Sequence, residues 1–127
     1  MPNAKLPHDH GQEIEHIFDH LPPADAFSSV SGLFHLLGDG SRLRVFWILC
    51  HCEECVINLA AMTGMSSPAL SHHLRLLKEA GLIVSRREGK EVYYKAADML
   101  PTETLHRVIE ELVVITCPKN MQSEGEK

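Results

Sequence analysis

The 127-residue sequence predicts a mainly α-helical protein with a small β-hairpin, arranged as a winged helix-turn-helix. The first observation is a helix over residues 66–80 that has one apolar and one polar face and directly follows a short turn. The second is a basic hairpin over residues 82–96. The third is an apolar helix close to each end of the chain. Helix, turn, polar-faced helix and hairpin in this order are typical of modules that read DNA.

The polar-faced helix has clear signals for its start and its end. Gly64-Met65 makes a turn, and Ser66 or Ser67 is a good N-cap. Pro68 suits the first helical position, and Gly81 ends the helix where a left-handed cap is favoured. Leucines at helical spacing predict one buried face: Leu70, Leu74 and Leu77. This element is therefore predicted to be the recognition helix.

Candidate DNA contacts lie on the exposed face of this helix and near the tip of the hairpin. The helix side chains that can reach base edges in the major groove are Ser67, Ser71, His72 and Arg75. Strands are predicted over residues 82–87 and 91–96. The hairpin side chains that would meet phosphates or the minor groove are Arg86, Arg87 and Lys90. His73, one step around the helix from His72, is expected to be buried and hydrogen-bonded.

The distribution of charge supports this placement, although the net charge of the chain is −5. Residues 66–95 hold six basic and three acidic side chains, a balance of +3, and every other part of the chain is negative. Affinity for phosphate depends on the local field rather than on the total charge. The only positive part of the chain therefore coincides with the predicted DNA-reading surface.

The remaining chain is predicted to be helical and to divide into three parts. These are a polar arm with a short helix (residues 1–23), the winged helix-turn-helix domain with its dimerisation helices (24–117) and a disordered tail (118–127). Helices are predicted over residues 12–21, 24–37, 42–50, 56–63 and from about 102 to 117. The helix over 42–50 is predicted to bury Leu43, Phe46, Trp47 and Cys50. The last helix is so apolar that a domain this small needs a partner to cover it.

Composition argues against several other classes of protein. The longest purely apolar run, residues 45–50, is far too short to span a membrane, and a secretory signal is not evident. A cytoplasmic protein with no membrane partner and with reduced cysteines is therefore expected. An enzyme is not expected, because Cys55 as a nucleophile has only His51 nearby. A winged helix used only for protein interaction is disfavoured by the positive charge confined to residues 66–95.

Three cysteines lie within six residues, an unusual density for small core side chains: Cys50, Cys52 and Cys55. Clustered thiols in a reducing compartment favour soft-metal binding or thiol redox chemistry. If Cys50 and Cys52 both lay in one helix they would point about 200° apart, so the helix must end near Cys50 for them to share an ion. A trigonal or tetrahedral thiolate site is therefore predicted, completed by Cys117 from the same or the other subunit.

Residues 33–98 resemble the ArsR/SmtB family of metal-responsive repressors. Four segments carry the resemblance by their order and spacing: Leu-Leu-Gly-Asp-Gly-Ser-Arg-Leu-Arg at 36–44, Ser-His-His-Leu at 71–74, Ser-Arg-Arg-Glu-Gly-Lys at 85–90 and Val-Tyr-Tyr at 92–94. The resemblance implies a homodimer joined through its first and last helices. A two-fold dimer would place two recognition helices about 34 Å apart, matching a palindromic double-stranded operator.

The resemblance leaves the inducer open. Many relatives bind cadmium, lead or arsenite through Cys-Val-Cys, whereas this chain has Cys55-Val56 followed by Ile57. Other relatives bind zinc through Asp-x-His and a later His or Glu pair on the terminal helix. Here Thr104 precedes His106 and only Glu110 follows, so that site is not expected. We therefore predict that a soft metal or metalloid ion (Cd, Pb, As(III) or Zn) is the inducer, bound by Cys50, Cys52, Cys55 and Cys117. The alternative is a persulfide or oxidant sensor without a cofactor, pairing Cys50 or Cys52 with Cys117.

Overall fold

The structure is a computed structural model and describes residues 6–117. Its elements are α1 (Glu15–Asp19), α2 (Ala24–Leu36), α3 (Gly40–His51), β1 (Glu54–Cys55), α4 (Val56–Thr63), α5 (Ser67–Glu79), β2 (Ile83–Glu88), β3 (Glu91–Ala96) and α6 (Leu100–Thr116). The chain forms two compact units, one ending at Phe34 and the other beginning at His35. The tail predicted for residues 118–127 lies outside the described residues, and the boundary predicted after residue 23 stays a prediction.

The first unit contains α1 and most of α2. α1 is only five residues long, shorter than the helix predicted over 12–21, and its N-cap residue Ile14 makes no side-chain capping bond. On α2, large apolar side chains are exposed rather than packed, among them Phe27, Val30 and Phe34. These apolar positions are available for contacts outside the unit.

Helix α3 lies at the centre of the second unit, in contact with α4, α5, α6 and β3. Its buried residues are Val45, Phe46, Ile48 and Leu49. The predicted face of Leu43, Phe46, Trp47 and Cys50 is thus wrong except at Phe46. Trp47 is 37% exposed, and Leu43 and Cys50 are half-buried. The amphipathic pattern misleads here because a helix with neighbours on several sides is apolar on more than one face.

Two arginines of α3 fix the helices around it. Arg42 donates from Nε to the carbonyl of Leu36 (2.6 Å), and its Nη1 lies 3.3 Å from Nδ1 of His73 on α5. Arg44 donates to the carbonyls of Met62 and Thr63, which satisfies acceptors at the C-terminus of α4. These arginines therefore hold the helix-turn-helix together in this structure.

The helix-turn-helix agrees closely with the pattern in the sequence. Ser66 caps α5 by accepting from the amide of Ala69 (3.3 Å), and Gly64 and Gly81 have positive φ values of 74° and 80° where the adjoining helices end. The predicted leucine face of α5 is confirmed, with 0–1% exposure at Leu70, Leu74 and Leu77. α5 is thus anchored along one side while its other side faces solvent.

The wing is a three-stranded antiparallel sheet of order β1-β3-β2 rather than a hairpin alone. β2 and β3 pair from Ile83↔Ala96 to Glu88↔Glu91. Between them Gly89, at φ +63°, allows a two-residue turn. The added strand β1 pairs Cys55 with Tyr93 and Glu54 with Tyr94. One of the predicted sensor residues, Cys55, therefore lies within a strand of the wing.

Helix α6 follows the wing and packs against α3. Its residues Leu105, Ile109 and Val113 are half-buried. Other apolar side chains are exposed: Val108, Leu112, Val114 and Ile115. An apolar face of this size on a terminal helix matches the face expected from the sequence.

Within residues 6–117 the structure has no helix that is both long enough and apolar enough to cross a membrane.

Candidate functional site

The side chains predicted to read bases share the solvent-facing side of α5. Ser67, Ser71, His72 and Arg75 are all exposed. Arg75 donates from Nη2 to Nδ1 of His72 (2.9 Å), and its Nη1 lies 3.9 Å from Glu79 one turn further on. These contacts hold the guanidinium along the helix surface, where hydrogen-bond donors remain free for a base edge.

The basic side chains of the wing occupy two different environments. Arg87 and Lys90 are exposed. Arg86 is also exposed, but it makes a bidentate pair with Glu53, both bonds 2.9 Å long, and a second ion pair with Glu88. These bonds raise the pKa of Arg86 above its usual value, and the same pair lowers the pKa of Glu53. Of the three wing cations predicted to contact DNA, Arg86 is therefore already engaged within the protein.

Further contacts join the wing to its neighbours. Lys78 of α5 donates to the hydroxyl of Ser85 on β2 (2.7 Å). The Arg86 guanidinium also lies 4.9 Å from the ring centroid of Tyr93 on β3. The recognition helix, the wing and the segment that contains Glu53 are consequently linked by polar contacts.

Residues 50–55, the cysteine segment, run from the last turn of α3 to the start of α4. Cys50 is half-buried, and burial together with the charge of Glu110 raises the pKa of its thiol to about 11. Cys52 is the C-cap of α3 in extended conformation, and its thiol donates to the carbonyl of Ile48 (3.4 Å). Burial and Glu54 raise the pKa of Cys52 as well. Both thiols are protonated at neutral pH.

The other two cysteines contrast with each other in exposure. Cys55 is 8% exposed, ends β1 and is the N-cap residue of α4. Cys117 is exposed and is the C-cap residue of α6. Among residues 6–117 no cysteine belongs to a group of three or more potential metal ligands within one subunit. A single subunit thus does not gather the four predicted thiol ligands.

The structure instead brings together three residues that the sequence did not link: His51 at the end of α3, and His106 and Glu110 on α6. The Nε2 atoms of the two histidines are 3.0 Å apart, and each is 2.9 Å from Oε1 of Glu110. Trp47 donates from Nε1 to the same oxygen (3.0 Å). Hydrogen bonds from His51 and His106 lower the pKa of Glu110, which is therefore ionised. We refer to His51, His106 and Glu110 as the α3–α6 cluster.

Only part of this cluster left a signal in the sequence. His106 and Glu110 are four residues apart on α6, a spacing that places two side chains on one face. His51 is 55 residues away from His106. It lies between Cys50 and Cys52, and the spacing of the cysteines suggested a thiolate site instead. The third ligand becomes visible only when α3 packs against α6.

Comparison with known proteins identifies relatives of the chain. Residues 39–85 match the family described as bacterial regulatory protein, arsR family. The chain is 36% identical over 98 residues to the transcriptional repressor SmtB homolog of Synechocystis sp., covering 77% of this chain and 74% of that protein. It is 43% identical over 67 residues to the cadmium resistance regulatory protein CadC of Listeria innocua, covering 52% and 56%. It is 39% identical over 70 residues to the arsenical resistance operon repressor of Escherichia coli, covering 54% and 60%.

Solved structures with the same fold include several regulators. One is a possible transcriptional regulatory protein of Mycobacterium bovis, with a TM-score of 0.60 and 30% identity, covering 71% of this chain and 96% of that chain. An NMR structure described as a homodimeric winged helix-turn-helix DNA-binding domain of that organism has a TM-score of 0.63 and 30% identity, covering 71% and 82%. The repressor BigR of Xylella fastidiosa has a TM-score of 0.65 and 26% identity, covering 73% and 91%. The relatives named here are regulators and repressors of transcription rather than enzymes.

Proposed function

The chain belongs to the ArsR family of winged helix-turn-helix transcriptional repressors, and on that premise we propose that it binds a palindromic operator as a homodimer in the cytoplasm. We further propose that an inducer that reacts with its cysteines releases it from DNA. The chain spans between 56% and 60% of the length of the CadC and arsenical repressor relatives, so these roles are proposals for this chain.

Binding to the operator is supported chiefly by the seven exposed side chains on α5 and the wing. Ser67, Ser71, His72 and Arg75 would read base edges, while Arg87 and Lys90 would meet phosphates. Arg86 would reach DNA only by leaving Glu53, or it would position the wing from where it is. The buried leucine face of α5 anchors the helix that carries four of these side chains.

Dimerisation is supported by the exposed apolar side chains of the terminal helix. Val108, Leu112 and Ile115 of α6 are uncovered in the single subunit, and burying such side chains stabilises association by about 25 cal/mol per Å². A two-fold axis through this region would present two recognition helices to successive major grooves. An operator with two-fold symmetry follows from that arrangement.

For the inducer we propose a soft metal or metalloid ion such as cadmium, lead, arsenite or zinc, held by Cys50, Cys52, Cys55 and Cys117. Soft ions prefer thiolate sulfur, and two of the four thiols, those of Cys50 and Cys52, belong to the last turn of α3 and to its cap. Since one subunit does not gather all four, a complete site would require Cys117 of the other subunit or a rearrangement. Each thiol must also lose its proton on binding, so affinity would rise with pH.

The release step is supported by the attachment of the cysteine segment to the wing. Glu53, between Cys52 and Cys55, holds Arg86 of β2 by two hydrogen bonds. Cys55 itself pairs with Tyr93 of β3. An ion that drew Cys52 and Cys55 together would displace both connections and change the position of the wing. Inducer would thereby favour a dimer that no longer fits the operator.

A second candidate inducer is a persulfide or oxidant acting on Cys50 and Cys117. Cys50 belongs to the last turn of α3, which packs against α6, and α6 ends at the exposed Cys117. Reversible oxidation of that pair would join α3 to the end of α6. This chemistry needs no metal and leaves a change in mass.

The proposed function is tested by selecting a duplex from a random DNA library with the reduced, purified chain. Binding of that duplex is then followed during titration with cadmium, arsenite and, separately, a persulfide donor. We expect Cys55→Ser to bind the duplex like the parent chain but to resist release by cadmium or arsenite. Release of the variant by every inducer would refute the placement of the sensor. Selection of no preferred duplex would refute operator binding.

Intact mass and absorbance separate the two candidate inducers. A thiolate-to-metal absorption that saturates as DNA is released supports the metal sensor. Release accompanied by a disulfide or added sulfur, with no effect of metal, supports the thiol-modification sensor.

A further inference from the structure

We propose that the α3–α6 cluster is a metal site, in which His51, His106 and Glu110 of one subunit bind a divalent ion of the zinc class. The site is distinct from the cysteines, and all three ligands come from one chain. Metal binding here does not depend on whether the cysteines sense an inducer.

The three ligand atoms already form a nearly equilateral triangle with sides of 2.9, 2.9 and 3.0 Å. In a tetrahedral zinc site with bonds of about 2.0–2.1 Å, neighbouring ligand atoms are about 3.3 Å apart. The atoms would therefore move apart by only a few tenths of an ångström to receive an ion. Two of them are fixed by their i,i+4 spacing on α6, and the third comes from the last turn of α3.

Hydrogen bonds alone cannot account for all three close contacts in the cluster. Each Nε2 can carry one hydrogen, and a carboxylate carries none, so at most two hydrogens serve three close contacts. If both Nε2 atoms are protonated and donate to Glu110, the two N–H groups face each other at 3.0 Å. If only one is protonated, the lone pair of the other nitrogen faces a lone pair of the Glu110 oxygen 2.9 Å away. A cation at the centre would accept all three lone pairs at once.

The donor set favours a particular class of ion. Two imidazole nitrogens and one carboxylate oxygen form the three-ligand set that zinc uses when a fourth position stays open for water or another ligand. Calcium and magnesium prefer oxygen ligands, so the two histidines argue against them. Side-chain exposures of 44% for His51, 29% for His106 and 34% for Glu110 leave the cluster open to solvent, and an ion can enter without unfolding.

Trp47 supports the cluster from the side. Its Nε1 donates to the Glu110 oxygen (3.0 Å), and its ring lies 4.2 Å from that of His51 between centroids. Groups that orient metal ligands in this way commonly contribute a factor of 10–100 to metal affinity. The same residue is the only tryptophan of the chain, so its fluorescence reports on this site.

The experiment uses the full chain, reduced and free of metal, titrated with Co²⁺ as a spectroscopic substitute for Zn²⁺. We expect one Co²⁺ per subunit to bind in a step that quenches Trp47 fluorescence, with visible absorption of tetrahedral type and without thiolate-to-cobalt charge transfer in that step. Any Co²⁺ held by the cysteines would bind in a separate step that has such charge transfer and does not quench Trp47. Zn²⁺ should displace Co²⁺ and restore the fluorescence. Thiolate charge transfer during the quenching step would overturn the proposal.

Three variants and one matched control complete the test. His106→Gln and Glu110→Gln should each weaken Co²⁺ binding by more than about 100-fold, and Trp47→Phe by about 10–100-fold. The control, His16→Gln with His20→Gln, removes two histidines at i,i+4 spacing elsewhere in the chain and should leave the titration unchanged. Quenching that survives in both His106→Gln and Glu110→Gln, with native circular dichroism, would refute the site. Because every readout is metal binding, failure here leaves the proposed operator function unaffected.

Discussion

The recognition helix and the cysteine segment are close in the chain, yet their functional atoms are assembled in opposite ways. On α5 a buried leucine stripe supports side chains that all reach solvent from one continuous helix. In the cysteine segment, Cys50, Cys52 and Cys55 belong to the end of α3, its cap and β1, and differ in burial. A surface on one helix is complete once that helix folds, whereas a site divided among elements depends on how they meet.

The difference suggests a division of roles. The side chains predicted to read DNA already reach solvent from one anchored helix. The cysteine segment is held by few contacts, namely the Glu53–Arg86 pair and the two-residue strand β1, and the proposed inducer would act by replacing them. Elements with few and exposed contacts are those that move in switching proteins.

The largest effect should come from removing the support of the recognition helix. Leu74 is 1% exposed, so Leu74→Ala should lower the free energy of unfolding by about 2–5 kcal/mol through lost burial and a residual cavity. Leu76→Ala, at a half-buried position on the same helix, should cost clearly less. Denaturant unfolding at one fixed protein concentration measures both. Equal costs would show that the leucine stripe does not anchor the helix.

The next largest effect should be a loss of affinity for DNA without a change in the fold. Arg75→Ala should weaken binding of the selected duplex by about 1–3 kcal/mol, or roughly 5- to 150-fold, because a bidentate base contact is lost. The fold should be unaffected, since Arg75 is exposed. Fluorescence anisotropy measures the affinity, and Arg107→Ala on α6 is the control for loss of one exposed charge. Unchanged affinity in Arg75→Ala would remove this residue from the reading surface.

A smaller effect is expected where a residue transmits the inducer's signal without itself binding DNA. Glu53→Gln removes the charge that holds Arg86 while preserving side-chain shape, and it should reduce the inducer's effect on operator affinity by about 0.5–2 kcal/mol. Stability should change by less than about 1 kcal/mol, as expected for an exposed ion pair. Duplex binding with and without cadmium gives the coupling. Glu103→Gln is the control, and a full inducer response in Glu53→Gln would exclude this contact as the link.

The smallest effect is a dependence of stability on pH. Burial lowers the pKa of His73 below its ordinary value of 6.5, and Arg42 requires a lone pair on its Nδ1. As pH falls below about 6.5 the unfolded chain takes up the proton first, so this contribution to stability is complete above that pH and is lost below it. His73→Gln should show a shallower loss of stability between pH 7.5 and pH 5.5 than the parent chain. His35→Gln, at an exposed position, should resemble the parent; equal slopes for all three chains would contradict the assignment.

The sequence predicted best those elements whose determinants are local. α4 has the predicted limits of residues 56–63, and the cap, leucine stripe and terminal glycine of α5 are confirmed. Strand β1 was missed because two residues carry no periodic pattern. The face of α3 was misjudged because its neighbours come from four other elements, which local spacing does not reveal.

The candidate sites divide in the same way. The residues predicted to read bases were chosen from one helical pattern, and their exposure agrees with that pattern. The α3–α6 cluster joins residues separated by 55 positions, so its geometry depends on tertiary packing. Trp47 illustrates the point. The sequence predicted that it is buried in the core, whereas its indole is 37% exposed and donates to Glu110.

The pairing of β1 with the wing has a consequence for protein engineering. A designer who wished to change the inducer would be inclined to exchange residues 52–55 for a loop from another repressor. In this chain that loop contributes a strand to the sheet through Tyr93 and Tyr94 and an anchor to Arg86. The exchangeable module is therefore the loop together with its docking residues on β2 and β3. A chimaera that transplants the loop alone would be expected to bind the new inducer without transmitting the signal.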